Sequence, residues 1–176
     1  MRFTLTDEID FPRDLVYPTL RDRTLDFLPY LVNVAEIQVI EEHTEGGVKR
    51  SIKRWRGSSD EIPAALRPLV RPDFLVWIDH ATWDAHQFTC EWRHEFKALP
   101  NGVSARGLTR YEAQGDVTVV HMDGEFNIHP EGLTFVPNVL ARKLSPGMER
   151  FVIERLKPNM RAANEAVASF LEDQAG

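Results

Sequence analysis

The stretch PGMERFVIERLKPNMRAANEAVASFLED, Pro146 to Asp173, decides how this chain is read. Its apolar residues Met148, Phe151, Val152, Leu156, Met160, Ala163, Val167, Phe170 and Leu171 recur at steps of three and four. That spacing gathers one apolar stripe on one face of a helix. A helix of about 28 residues, rising 1.5 Å per residue, spans roughly 40 Å and needs a long concave surface to cover its stripe. Pro158 lies inside the run and predicts a kink near Glu154–Lys157, because proline lacks an amide hydrogen and clashes with the preceding turn.

Working outward, the residues before this run read as strands. Val34–Thr44 and Val48–Gly57 are joined through Glu45-Gly46-Gly47, a hairpin signal. Phe74–Trp83, Gln87–Leu99, Val103–Gln114 and Val117–Ile128 follow, separated by short turn-prone segments. Alternation is clearest from Phe88 to Phe96. Phe88, Cys90, Trp92, His94 and Phe96 share one face, while Thr89, Glu91, Arg93 and Glu95 share the other. Such a strand has one covered face and one wet face. Both faces of 74–83 are partly apolar, so its inward side stays open. At the start, Phe3, Leu5, Ile9 and Phe11 alternate as a strand that Pro12 stops. Val16 to Leu31 then suggests two short helices, broken near Asp22–Thr24 and closed by Pro29. Ser58–Pro72, with three prolines, is the least regular part, and a short helix is expected around Phe135–Leu140.

The 176 residues suit one domain, 1–176, with a sizeable core; 43% are apolar, and no run approaches a membrane span. The N-terminus lacks a signal-peptide pattern and Cys90 is the single cysteine, so the expectation is a cytoplasmic protein. A net charge of −6 argues against nucleic acid as partner. The basic run Lys49, Arg50, Lys53, Arg54 and Arg56 reads as a solvated strand face.

The order strand, two short helices, six antiparallel strands and long closing helix resembles the helix-grip fold of the START-like (SRPBCC) superfamily. That superfamily includes polyketide cyclase-like and lipid-transfer proteins. The opening FTLTDEIDFPRDLVYPTLRD, with its Val16-Tyr17 pair, is similar to the family's start, and the run from Pro146 is similar to its closing helix. The resemblance covers essentially the whole chain. It implies an α+β fold, with a seven-stranded antiparallel curved sheet wrapped around the C-terminal helix. It also implies a cavity between the two that holds a lipid, sterol-like or polyketide-like molecule.

On that reading the ligand-binding candidates are Phe88, Trp92, His94, Phe96, Tyr111, Phe126, Leu156 and Met160. His94 is the candidate for hydrogen bonding or proton transfer, weighed against a core histidine satisfied by a backbone carbonyl. Tyr111 is its possible partner, weighed against a packed tyrosine. Arg155 and Asn159 read as a solvated helix flank. No catalytic motif, phosphate loop or cofactor signature occurs. His121, Asp123, Asn127 and His129 form a polar line better read as a wet strand face than a metal site. The leading expectation is a carrier or sensor for a hydrophobic small molecule. A cyclase or dehydratase using the same cavity is the alternative, and a protein-interaction or chaperone-assisting module the third.

Overall fold

The computed structural model describes residues 1–59, 71–129 and 161–176. The expected α+β architecture is present. β1 (Arg2–Ile9) leads into α1 (Arg13–Asp22), and a 3-10 turn at Leu28–Tyr30 precedes β2 (Val34–Glu45) and β3 (Val48–Gly57). A second 3-10 turn at Pro72–Leu75 opens β4 (Val76–Asp84), followed by β5 (Thr89–Glu95), β6 (Val103–Gln114) and β7 (Val117–Ile128). Residues 161–175 form the closing helix α2. The expected helix at Phe135–Leu140, the kink at Pro158, and the candidates Leu156, Met160, Arg155 and Asn159 lie outside the described residues.

The seven strands form one antiparallel sheet in the order β1-β7-β6-β5-β4-β3-β2. β2 to β7 pair in sequence order as a six-stranded meander, with residues 58–75 between β3 and β4, and β1 adds to the far side against β7. Positive φ at Gly46 and Gly47, where glycine carries no Cβ penalty, closes the β2–β3 hairpin. Three expectations shift at their edges. The second short helix is only one 3-10 turn, because Pro29 sits at its start and the neighbours Phe27 and Leu31 turn into the core. β4 begins at Val76, after the turn at Pro72–Leu75. β5 begins after Phe88, whose φ of 52° belongs to a turn held by Asp84 Oδ1 accepting from the His86 and Gln87 amides.

Period-two alternation and the pairing register sort the inward side chains into rows across the sheet. The row at the α1 end runs Lys49, Trp83, Cys90, Thr109, Met122 and Leu5. The next runs Ser51, Ala81, Trp92, Gly107, Gly124 and Phe3. The third runs Lys53, Asp79, His94, Ala105 and Phe126, and Trp55 pairs with Trp77 beyond it. Gly107 and Gly124 face each other where the Trp92 and Phe3 rings cross the sheet, and a Cβ at either would strike those rings. The absent side chains let two large rings lie flat against the backbone.

α1 turns Val16, Tyr17, Thr19 and Leu20 inward. Tyr17 packs edge-on against Trp83, Phe88 and Tyr111, with centroids 5.6, 5.4 and 5.4 Å away, and its hydroxyl donates to Thr89 O at 3.0 Å. α2 contributes Ala166, Val167, Phe170 and Leu171 to the same core. Burying a side chain such as Val167 is worth about 1.5–3 kcal/mol. One polar contact sets the helix against the sheet: the buried Asn164 donates from Nδ2 to Asp7 Oδ2 at 2.9 Å. No helix among the described residues is long and apolar enough to cross a membrane.

Candidate functional site

One end of the concave face is filled by α1 and α2. Two rows away, the third row carries charge instead of hydrocarbon. Asp79 and His94 are direct cross-strand partners, and His94 Nε2 lies 3.2 Å from Asp79 Oδ1. Their side chains are 14% and 27% exposed, so the pair is accessible but mostly desolvated. The imidazole is flanked by Trp92, centroids 4.9 Å apart, and Trp77 at 6.2 Å. Trp77 in turn stacks on Trp55 at 5.9 Å. Trp92 keeps its own donor inside the sheet, giving Nε1–H to Thr109 Oγ1 at 3.2 Å.

Lys53 continues the row on the other side of Asp79. It is 4% exposed, donates to Thr24 Oγ1 at 2.7 Å and pairs with Glu42 Oε1 at 3.6 Å. Burial pulls its ammonium below the usual lysine value, although Glu42 and Asp79 oppose that shift. Lys49 lies on the same face, between Glu42 Oε2 at 3.0 Å and Asp22 Oδ1 at 3.3 Å. Burial works against ionisation of Asp22, but Arg21 and Lys49 more than offset it and its carboxyl is held below the ordinary range. The solvated reading of the basic run therefore fails for Lys49 and Lys53. The β3 alternation turns both inward, where Glu42 and Asp22 pair with them from the rim, and only Arg50, Arg54 and Arg56 face outward.

The candidates from the sequence fall into two places. Trp92, His94 and Phe126 share the concave face in adjacent rows, and Phe96 follows β5 as a half-buried ring packed against the same core. Phe88 and Tyr111 belong to the α1 end instead. Phe88 lies against Tyr17 beneath the Arg13 guanidinium, 3.5 Å from its ring centroid, and Tyr111 stacks on Trp83 at 6.1 Å. Along β6, Tyr111 is six residues from Ala105, the partner of His94, which is roughly 20 Å of strand. A shared proton relay between His94 and Tyr111 is excluded by that separation. The backbone-carbonyl reading of His94 is replaced by its pairing with Asp79. Of the other residues here, sequence reasoning passed over Ser51, read Lys53 as solvated, and favoured core or sheet surface over a pocket for Trp55 and Asp79; the alternation of β3 was the available signal for Ser51, Lys53 and Trp55.

The opposite face holds an open depression of about 1300 Å³. Its lining is strongly charged, and Arg106 pairs there with Glu125 at 2.7 Å. The polar line from His121 lies on that outer face: His121 meets Glu112 and Asp123 meets Arg110. Among the described residues no three His, Cys, Asp or Glu groups converge as metal ligands.

No family model matches the chain, and no curated protein matches it. Solved structures do. The Thermus thermophilus protein TTHA0849 superposes with a TM-score of 0.70 at 14% identity, covering 100% of both chains. The Zhui aromatase/cyclase from a Streptomyces species gives 0.68 at 17% identity, covering 100% of this chain and 96% of that one. Norcoclaurine synthase from Thalictrum flavum gives 0.56 at 16% identity, over 97% and 86%. The chain has the helix-grip fold of these structures.

Proposed function

We propose that the protein binds a hydrophobic, ring-containing small molecule between the concave face and the closing helix, as a carrier or sensor. The observation that carries this reading is the Asp79–His94 pair, left partly accessible between Trp77 and Trp92 on a face that is otherwise core. Binding sites for small molecules combine an apolar lining with a few placed polar groups, and this row has that composition. Trp92, Phe96 and Phe126 form the apolar floor, and His94 with Asp79 orients the guest. Leu156 and Met160, on the apolar stripe of the closing run, are the proposed opposing wall.

Native mass spectrometry of the purified protein, with solvent extraction of what it carries, tests this reading. A stoichiometric lipid-like or aromatic molecule is expected, and its loss in Trp92→Ala with the fold intact would place it at this face. Ligand-free protein that binds no aromatic or acyl probe at millimolar concentration would overturn it.

A second reading draws on the same pair. An imidazole oriented by a carboxylate is the arrangement general bases use, and a guest held against His94 could lose a proton to it during cyclisation or dehydration. His94→Ala would then abolish turnover while leaving binding within a few fold. Unchanged turnover would exclude His94 as the base.

A further inference from the structure

β2 is an edge strand: it pairs with β3 on one side, and no described strand lies on the other. Along its 12 residues, alternate backbone N–H and C=O groups therefore point away from the sheet. Its middle is apolar and open. The adjacent Val39 and Ile40 are 39% and 54% exposed, whereas β1, at the opposite edge, exposes no large apolar side chain. Around them the strand is acidic, with Glu36, Glu41, Glu42 and Glu45, and His43 is its one group able to carry positive charge. Charge along an edge guards it against indiscriminate pairing.

We propose that β2 is a dimer interface, at which a second copy of this chain pairs antiparallel through its own β2 and the two seven-stranded sheets become one. The register follows from the bulge. Val39 pairs with Lys53 and Glu41 with Ile52, so Ile40 is an extra residue and the in–out alternation reverses across it. Ile37 and Val39 face the concave side before it, and Glu42 and Thr44 face that side after it. Two copies related by a two-fold axis keep one continuous concave face only where their bulges oppose each other. Two registers do this. One sets Ile40 against Glu41 of the second copy, and Glu36 against Glu45 of the second copy, a like-charge contact repeated by symmetry. The other sets Val39 against Ile40 of the second copy, Gln38 against Glu41 of the second copy, and Glu36 against His43 of the second copy. That register opposes no like charges, covers the exposed apolar pair and places a carboxylate on an imidazole. Glu42 falls opposite Ile37 of the second copy, with its own charge already met by Lys49 and Lys53. The ladder from Glu36 to His43 is roughly 27 Å long, a small contact. It suits a dissociation constant on the order of 10–100 µM.

Sedimentation equilibrium of the full chain from about 1 to about 500 µM tests the interface. The wild type should pass from monomer to dimer over that range. Ile40→Lys, a change at an exposed side chain, should weaken the dimer at least about tenfold. Oxidative cross-linking reads the register. Gln38→Cys combined with Glu41→Cys should give a disulfide-linked dimer, because positions three apart on one strand are too distant to bridge within a chain. Gln38→Cys combined with His43→Cys, which the like-charge register would bring together, should not. A wild type still monomeric at about 500 µM, or an Ile40→Lys variant that dimerises as the wild type does, would overturn the proposal. So would failure of the Gln38/Glu41 pair to cross-link.

Discussion

Asp79 and His94 meet across the β4–β5 ladder with Lys53 on the far side of the carboxylate, so one acidic group serves two basic neighbours. The carboxylate is the only anion in its row. Removing it takes away the carboxylate that faces His94 Nε2 at 3.2 Å and one of the two charges that support the buried ammonium. Asp79→Ala is expected to cost about 1–3 kcal/mol, the penalty for leaving a mostly buried partner unsatisfied. Asp79→Asn, which keeps an acceptor oxygen, should cost less than Asp79→Ala. Urea unfolding would show this as a lowered midpoint at unchanged slope. Midpoints identical to wild type in both variants would mean that the pair carries no structural energy.

Gly107 and Gly124 look equivalent in the register, yet their neighbours differ. A Cβ at Gly107 would meet Trp92 and also the backbone carbonyl oxygen of Asp123, at 2.6 Å; at Gly124 its three nearest atoms all belong to the Phe3 ring. A ring at the end of a side chain can swing away, whereas a ladder carbonyl cannot. Gly107→Ala is expected to destabilise by about 1–3 kcal/mol, as overpacking does, and Gly124→Ala by less. Because Trp92 would be pushed off the sheet, Gly107→Ala should also change tryptophan fluorescence. A costlier Gly124→Ala would contradict this ordering.

How far the sequence alone reaches is visible in these residues. Turn chemistry at Glu45-Gly46-Gly47 and the clean alternation of 88–96 are local signals, and they suffice to place antiparallel neighbours and to turn Trp92 and His94 toward one face. The pairing of His94 with Asp79 is different. It depends on the β4–β5 register, and β4 carries apolar residues on both faces, so no one-dimensional pattern selects its inward side. Lys49 and Lys53 look like solvated charges because their counter-charges, Glu42 and Asp22, come from β2 and α1. Phe88 misleads for a local reason: the strand begins one residue later, and a positive φ turns its ring toward α1.

Asn164 and Asp7 join α2 to β1 through a part-buried hydrogen bond at 2.9 Å. Val120 is the ladder partner of Asp7, and Val167, three residues along α2 from Asn164, is fully buried. Asn164→Leu would strand the Asp7 carboxylate against apolar surface and should cost about 1–3 kcal/mol. Combining it with Asp7→Leu should recover part of that loss, since replacing both partners with apolar groups removes the unpaired charge. Thermal melts of the two single variants and the double variant measure the coupling. Strictly additive losses would show that the two side chains act independently.

The protein's alkaline limit follows from groups that hold their protons when folded. Burial raises the Cys90 thiol well above 9.0 and the Tyr111 phenol well above 10.0. Burial likewise raises Tyr17, and the hydrogen bond from Tyr30 to the Asp173 carboxylate raises Tyr30. For each, the unfolded chain releases its proton at the ordinary value while the folded chain does not. The stability they contribute is complete below that value and falls as pH climbs past it. Lys53 works in the opposite sense. Its lowered value means a protonation penalty that is present at neutral pH and is relieved on approach to 10.5, where the unfolded chain also loses the proton. Four groups fall against one that rises, so stability should decline from about pH 9 upward. The chain has three tyrosines and all three are raised, so phenolate absorbance should appear together with the loss of circular dichroism. A tyrosine that ionises near pH 10 while the dichroism is intact would break the prediction, and Tyr30, held by one exposed hydrogen bond, is where the break would come first.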